Sequence, residues 1–143
     1  MKYASIVPLI GGETIAMENV FGKRPEYIMT YDGFQDNEKH LLNYYNHEVP
    51  YLNLSEGAEY TEKVNVINTV CPCAGLSSLS PSAGSNNVMN DWMYTSSEYV
   101  LSECQPDVFW GENAPRLASK MGEPVVRRLR KIAEKNGYTF SLF

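Results

Sequence analysis

Cys73 is the residue of this chain best placed for covalent chemistry. It follows Pro72 in the run Cys71-Pro72-Cys73, after the β-like residues 64–70, and it opens a polar loop. A thiol at a strand end beside a loop can be partly exposed and aimed into a pocket, where its thiolate is a nucleophile. A second candidate group is Glu112-Asn113, after the apolar run Val108-Phe109-Trp110. A carboxyl near a thiol can donate a proton or anchor a substrate ring. Gly11-Gly12, at the end of the apolar residues 3–10, would let a cofactor approach the backbone, and Asp32 stands 20 positions after Gly12. That spacing suits an acid that holds ribose hydroxyls.

Each of these residues also has a purely structural reading. A double glycine serves a tight turn, and an acid after a strand serves as a cap. The two cysteines can be small fillers at a turn, and Glu112 can belong to the start of the last helix. Cys71 and Cys73 could also form half of a metal site with His40 and His47, which lie seven apart on a predicted helix. Metal binding needs about four well-spaced ligands, and no companion cysteine pair exists. The basic run Arg127, Arg128, Arg130 and Lys131 could bind phosphate, but it falls on the polar side of an amphipathic helix, which favours a solvated face.

The elements that must position these groups alternate. Residues 3–10 read as a strand, Gly11-Gly12 as a turn, and residues 13–21 as a helix stopped by Gly22. Residues 27–31 read as a strand ended by Asp32-Gly33, followed by a helix over 36–45 with Leu41, Leu42 and Tyr45 on one side. A weak strand at Tyr51-Leu52 and a clear one at 64–70 follow. Residues 74–87, rich in Ser, Gly, Asn, Pro and Ala, read as a functional loop. Then come a helix over 88–104, a strand at 107–110, a helix from Pro124 to Gly137 and a final strand over 138–143. Alternating βα units predict an α/β fold with an open, mostly parallel sheet, helices on both faces, and a ligand site at the carboxyl ends of the strands.

Composition sets the outer bounds. The 143 residues are about one domain, with 43% hydrophobic and 20% charged side chains. The mean hydropathy is −0.33. No apolar run approaches the roughly 20 residues of a spanning helix, and no secretory signal opens the chain, so a cytoplasmic protein without a membrane partner is expected. With 12 basic against 17 acidic residues, the bulk charge offers nothing to a nucleic acid beyond a local patch. Three cysteines, two of them one residue apart, make a disulfide framework a poor reading.

Taken together, Cys71-Pro72-Cys73-Ala74-Gly75-Leu76-Ser77 and Val108-Phe109-Trp110-Gly111-Glu112-Asn113-Ala114 resemble two signature blocks of the cytosine-C5 DNA methyltransferases, in the same order and at a matching separation. The resemblance extends along the chain. Residues 6–12 with Glu18 look like the donor-binding first block, Tyr31-Asp32 like the second and Asn53-Leu54 like the third. Val7 and Leu9 stand where that family's first block carries Phe and its first Gly.

The resemblance implies a Rossmann-like S-adenosylmethionine-dependent methyltransferase fold without the later strands and the target-recognition domain, so that residues 1–143 form a partial catalytic domain. It implies Cys73 as nucleophile toward a flipped-out cytosine in DNA, Glu112 as the group holding N3, and Pro72 and Asn113 as shapers of the base pocket. The donor would be held by Ile10, Gly11, Gly12, Asp32, Asn53 and Pro72, with no metal. Residues 77–87 look like the family's mobile loop. Three accounts fit: a fragment of a longer enzyme, one subunit of a split enzyme whose partner carries target recognition, or a noncatalytic binding module on the same fold. A tRNA cytosine is the alternative substrate.

Overall fold

In a computed structural model of the chain, residues 1–70, 91–113 and 115–143 are described. Five strands form one sheet: β1 (Tyr3–Ile6), β2 (Ile28–Thr30), β3 (Tyr51–Asn53), β4 (Val66–Thr69) and β5 (Val108–Gly111). Their order is β3-β2-β1-β4-β5 and every pairing is parallel, with Ser5 opposite Ile28 and Asn68, and Thr69 opposite Gly111. Strands covered on both faces read as continuous apolar runs rather than alternating ones. All four residues of β1 and all three of β2 are buried.

Helix α1 (Gly12–Phe21) joins β1 to β2, and α2 (Gln35–Tyr44) joins β2 to β3. Gly22 ends α1 as a left-handed cap whose N–H returns to the Glu18 carbonyl at 2.8 Å, as its position predicts. Right-handed crossovers put both helices on one face of the sheet. There, Leu41, Tyr45 and Val49 pack on Ile28, with Ile15, Leu42 and Tyr51 at the margin. The chain runs outward from β1 through β2 to β3 and then returns to the other side of β1, so the direction of winding reverses between β1 and β4.

Two compact units make up the chain. The first, Met1–Val70 with Pro106–Gly111, contains the sheet, α1 and α2. The second, Cys71–Gln105 with Glu112–Phe143, contains α3 (Asp91–Tyr99), a π-helical turn (Val100–Cys104), two 3-10 turns (Pro115–Ala118 and Lys120–Gly122) and α4 (Glu123–Lys135). In that unit Met93 and Tyr94 of α3 pack on Val125 of α4, with Leu117, Leu129 and Ile132 around them.

Several expectations are corrected. The first strand stops at Ile6 rather than Ile10, because Val7 (φ 47°) and Leu9 (φ 52°) turn the backbone into the left-handed region. Residues 138–143 form no strand. The Tyr138 N–H bonds back to the Ala133 carbonyl at 2.8 Å, completing the cap of α4, and without a ladder a β-prone composition stays irregular. The helix expected over 88–104 changes to π geometry from Val100, where the Gln105 N–H reaches the Val100 carbonyl. The loop at 74–87 lies outside the described residues. No helix among the described residues is long and apolar enough to cross a membrane.

Candidate functional site

The turn after β1 lies at the reversal of winding, the usual ligand position in an open parallel sheet. Val7 is fully buried and tied to both neighbouring strands: its N–H donates to the Met29 carbonyl at 2.9 Å and its carbonyl accepts from Val70 at 3.2 Å. A β-branched residue at positive φ is strained by about 1–3 kcal/mol, and these sheet contacts oppose that cost. Leu9 takes the left-handed conformation at the place where the resemblance puts a glycine. The Gly11 N–H closes the turn onto the Pro8 carbonyl at 3.0 Å.

Gly11 and Gly12 differ in what they do. Gly11, at φ 94°, is needed for packing, since a Cβ there would sit 2.5 Å from Cδ1 of Leu41 in α2. Gly12 begins α1, and a Cβ on it would meet nothing within 4 Å. Gly11 at the N-cap offers no side chain to cap this first turn. Helix N-termini favour negatively polarised groups. Ile10 projects from the turn with 72% of its surface exposed.

The structure joins Asp32 and Asn53. The Asn53 side-chain amide donates to Oδ1 of Asp32 at 2.7 Å, and Ser55 accepts from the Asp32 N–H at 3.0 Å while its own N–H donates to Oδ1 of Asn53 at 3.0 Å. These bonds cross-link the ends of β2 and β3. They hold an exposed carboxylate that can accept hydrogen bonds from a vicinal diol.

Sequence reasoning missed Glu38. It is fully buried beneath this edge, where Oε1 accepts from the Thr30 and Tyr51 hydroxyls at 2.6 Å each and Oε2 accepts from the Leu9 N–H at 3.3 Å. Burial raises its carboxyl above the ordinary range, and the three hydrogen bonds oppose that shift. A signal was present. Glu38, Leu41, Leu42 and Tyr45 are spaced i, i+3, i+4 and i+7, so an acid occupies the apolar stripe of α2. A second buried network, also missed, links Ser5 Oγ to Asn68 Oδ1 at 2.5 Å and to the Thr14 hydroxyl at 2.8 Å, anchoring α1 over β1 and β4.

Other candidates resolve differently. Pro72 and Cys73, together with Cys71 and the loop after them, lie outside the described residues, as does Ala114. Glu112 is the residue directly after β5 and is exposed, eleven positions before α4, so it does not begin the last helix. Gly111 before it must be glycine, because a Cβ would lie 2.9 Å from the Thr69 carbonyl oxygen. Asn113 belongs to the second unit, where its side-chain amide approaches the Met93 sulfur at 3.1 Å.

His40 is exposed on α2, whereas His47 lies past the end of that helix at φ 56° and pairs with Asn43 at 2.9 Å, which corrects the expectation of two histidines on one helix. Among the described residues no three His, Cys, Asp or Glu side chains are grouped to hold a metal. Burial and the nearby Glu103 charge push the Cys104 thiol up to about 12, which makes it inert. Arg127, Arg128, Arg130 and Lys131 are exposed on α4, with the Arg128 guanidinium 4.0 Å from the centre of the Tyr94 ring. An open depression of about 440 Å³ lies at the far end of α1, lined by Glu18, Asn19, Gly22, Lys23 and Arg24. The chain matches no protein-family model and no curated protein.

Proposed function

We propose that the chain is the catalytic half of a cytosine-C5 DNA methyltransferase that uses S-adenosylmethionine on a Rossmann-like fold. One observation carries the reading. Each of the five sequence blocks begins no more than two residues from the carboxyl end of one strand of the all-parallel sheet: residues 6–12 at β1, Tyr31-Asp32 at β2, Asn53-Leu54 at β3, Cys71-Pro72-Cys73 after β4 and Glu112-Asn113 after β5. Ligands of open parallel sheets bind at that edge.

In this reading Gly11, Gly12 and the exposed Ile10 border the donor, the Asp32–Asn53 pair accepts its ribose, and Pro72 closes the site. The Cys73 thiolate adds to C6 of a flipped-out cytosine while Glu112 holds N3 and Asn113 shapes the base pocket. The electron pair reaches C5, which takes the methyl group and leaves the donor as its thioether. Loss of the C5 proton to a base then expels the thiolate and restores the ring. A further segment or partner subunit supplies target recognition.

Two measurements test this. Calorimetric titration of S-adenosylmethionine into the chain should show saturable binding, weakened at least about tenfold by Asp32→Ala, which removes a charge-assisted bond. DNA containing 5-fluorocytosine should form a donor-dependent covalent adduct once the recognition part is supplied, and an adduct that survives Cys73→Ser would overturn the role of that thiol.

A second reading, a noncatalytic nucleoside-binding module, is favoured by Leu9, whose side chain occupies a left-handed position where the resemblance places glycine. Donor binding without adduct or methyl incorporation in the complete assembly would select it. Methyl incorporation into tRNA rather than duplex DNA would instead change the substrate.

A further inference from the structure

The Pro8–Leu9 peptide plane is held at both ends. Its carbonyl accepts from Gly11 within the turn at 3.0 Å, and its N–H donates to Glu38 across the gap from α2 at 3.3 Å. The plane ends at Leu9, which has positive φ as Val7 does one residue before Pro8, and neither gains anything from that conformation on its own. A peptide flip would remove both bonds at once. It would also aim the Pro8 carbonyl toward the Glu38 carboxylate.

We infer that Glu38 is the positioning residue of the donor site: from α2 its carboxylate clamps the Leu9 N–H and so keeps the β1–α1 turn in the shape that presents Gly11 and Gly12. The role rests on the donor reading proposed above, and it names a residue outside the five sequence blocks. Glu38 joins all three parts of the site, because its other oxygen takes the hydroxyls of Thr30, next to Tyr31-Asp32, and of Tyr51, in the strand that ends at Asn53. Tyr51 is the titratable group that faces Glu38 from β3. Burial and Glu38 itself hold its phenol far above the ordinary range, so it stays a donor. From β2 and the β1–α1 turn Glu38 meets the uncharged Thr30 hydroxyl and Leu9 amide.

The experiment combines NMR on the whole chain with S-adenosylmethionine titrations. In the wild type the Leu9 amide proton should move downfield with the same midpoint as the ionisation of the Glu38 carboxyl, and this response should vanish in Glu38→Gln. Glu38→Ala should weaken S-adenosylmethionine at least tenfold. Glu38→Gln, whose remaining carbonyl can still accept from Leu9, should stay within about threefold. In a Leu9→Gly background, where the turn needs no clamp, Glu38→Ala should cost under threefold, a coupling that loss of packing alone would not give.

A Leu9 amide that ignores the ionisation of Glu38 overturns the clamp, and this holds even where Glu38→Ala fails to fold. Equal losses in the Ala and Gln variants, or the same loss in the Leu9→Gly background, overturn it as well. A wild-type chain that binds no S-adenosylmethionine yet shows the coupled titration overturns the donor reading and the role in binding, while the contact to Leu9 stands.

Discussion

The two units hide and pair their polar groups in different ways. In the first, Ser5, Thr14, Thr30, Glu38, Asn68 and Thr69 are buried, and several bonds among them cross between elements: Ser5 to Asn68, Glu38 to Leu9 and Tyr51. Among the described residues of the second, the buried Ser96 bonds to the Trp92 carbonyl, Ser102 to Glu98 and Asn136 to Ile132, each four residues back, beside the longer contact from Asn113 to Met93. Charge divides likewise. Five Lys and Arg stand against eleven Asp and Glu in the first unit, and seven against six in the second. The difference teaches where a single substitution propagates. A bond four residues long is replaced locally, whereas a buried bond between elements leaves its partner stranded in a place that water does not reach.

Glu38→Ala is the sharpest break of that contrast, since it strands the Leu9 amide and two hydroxyls and opens a cavity. It should cost about 2–4 kcal/mol in chemical denaturation. Gly11→Ala should follow at about 2–3 kcal/mol, because its Cβ must displace Leu41 and Ala at φ 94° is strained. The effect of pH comes next. The Glu38 carboxyl is raised in the fold, so between the ordinary value of 4.5 and the folded midpoint the native chain holds more protons than the unfolded one. Its contribution to stability is therefore complete below that window and lost as pH rises through it, by at most about 1.4 kcal/mol per pH unit. Wild type measured against Glu38→Gln should show this decline, and a parallel pair of curves would refute it.

The smallest effects belong to the second unit. Ser102→Ala should change stability by no more than about 0.5 kcal/mol, because the bond from its hydroxyl to the Glu98 carbonyl adds little to a helical turn. A loss as large as that of Glu38→Ala would erase the distinction between the units. In the same unit Cys104 should remain unalkylated in the native state at neutral pH, as mass spectrometry of the chain treated with iodoacetamide would show.

Much of the architecture was legible because it is written in neighbouring residues. The runs before Gly11, Asp32 and Cys71 are apolar enough to be strands covered on both faces, and Gly22 marks the end of α1 through its left-handed cap. The reading of residues 138–143 as a strand failed for the complementary reason. A ladder needs a partner, and the partner is not a property of the segment. Within the candidate site, Gly11, Gly12, Asp32 and Asn53 were found by their places after strands. Glu38 follows no strand and so escapes that signal, although its place on the apolar stripe of α2 marks it.

The sequence by itself determined the alternation of strands and helices and the five strand-end blocks, since periodicity, glycine caps and apolar runs act over a few residues. Only the tertiary structure decided the order β3-β2-β1-β4-β5, the left-handed turn at Val7 and Leu9, and the pairing of Glu38 with three separate segments. Those features depend on which distant groups meet once the chain closes. A buried carboxyl must take its donors from whatever the packed core brings within about 3 Å.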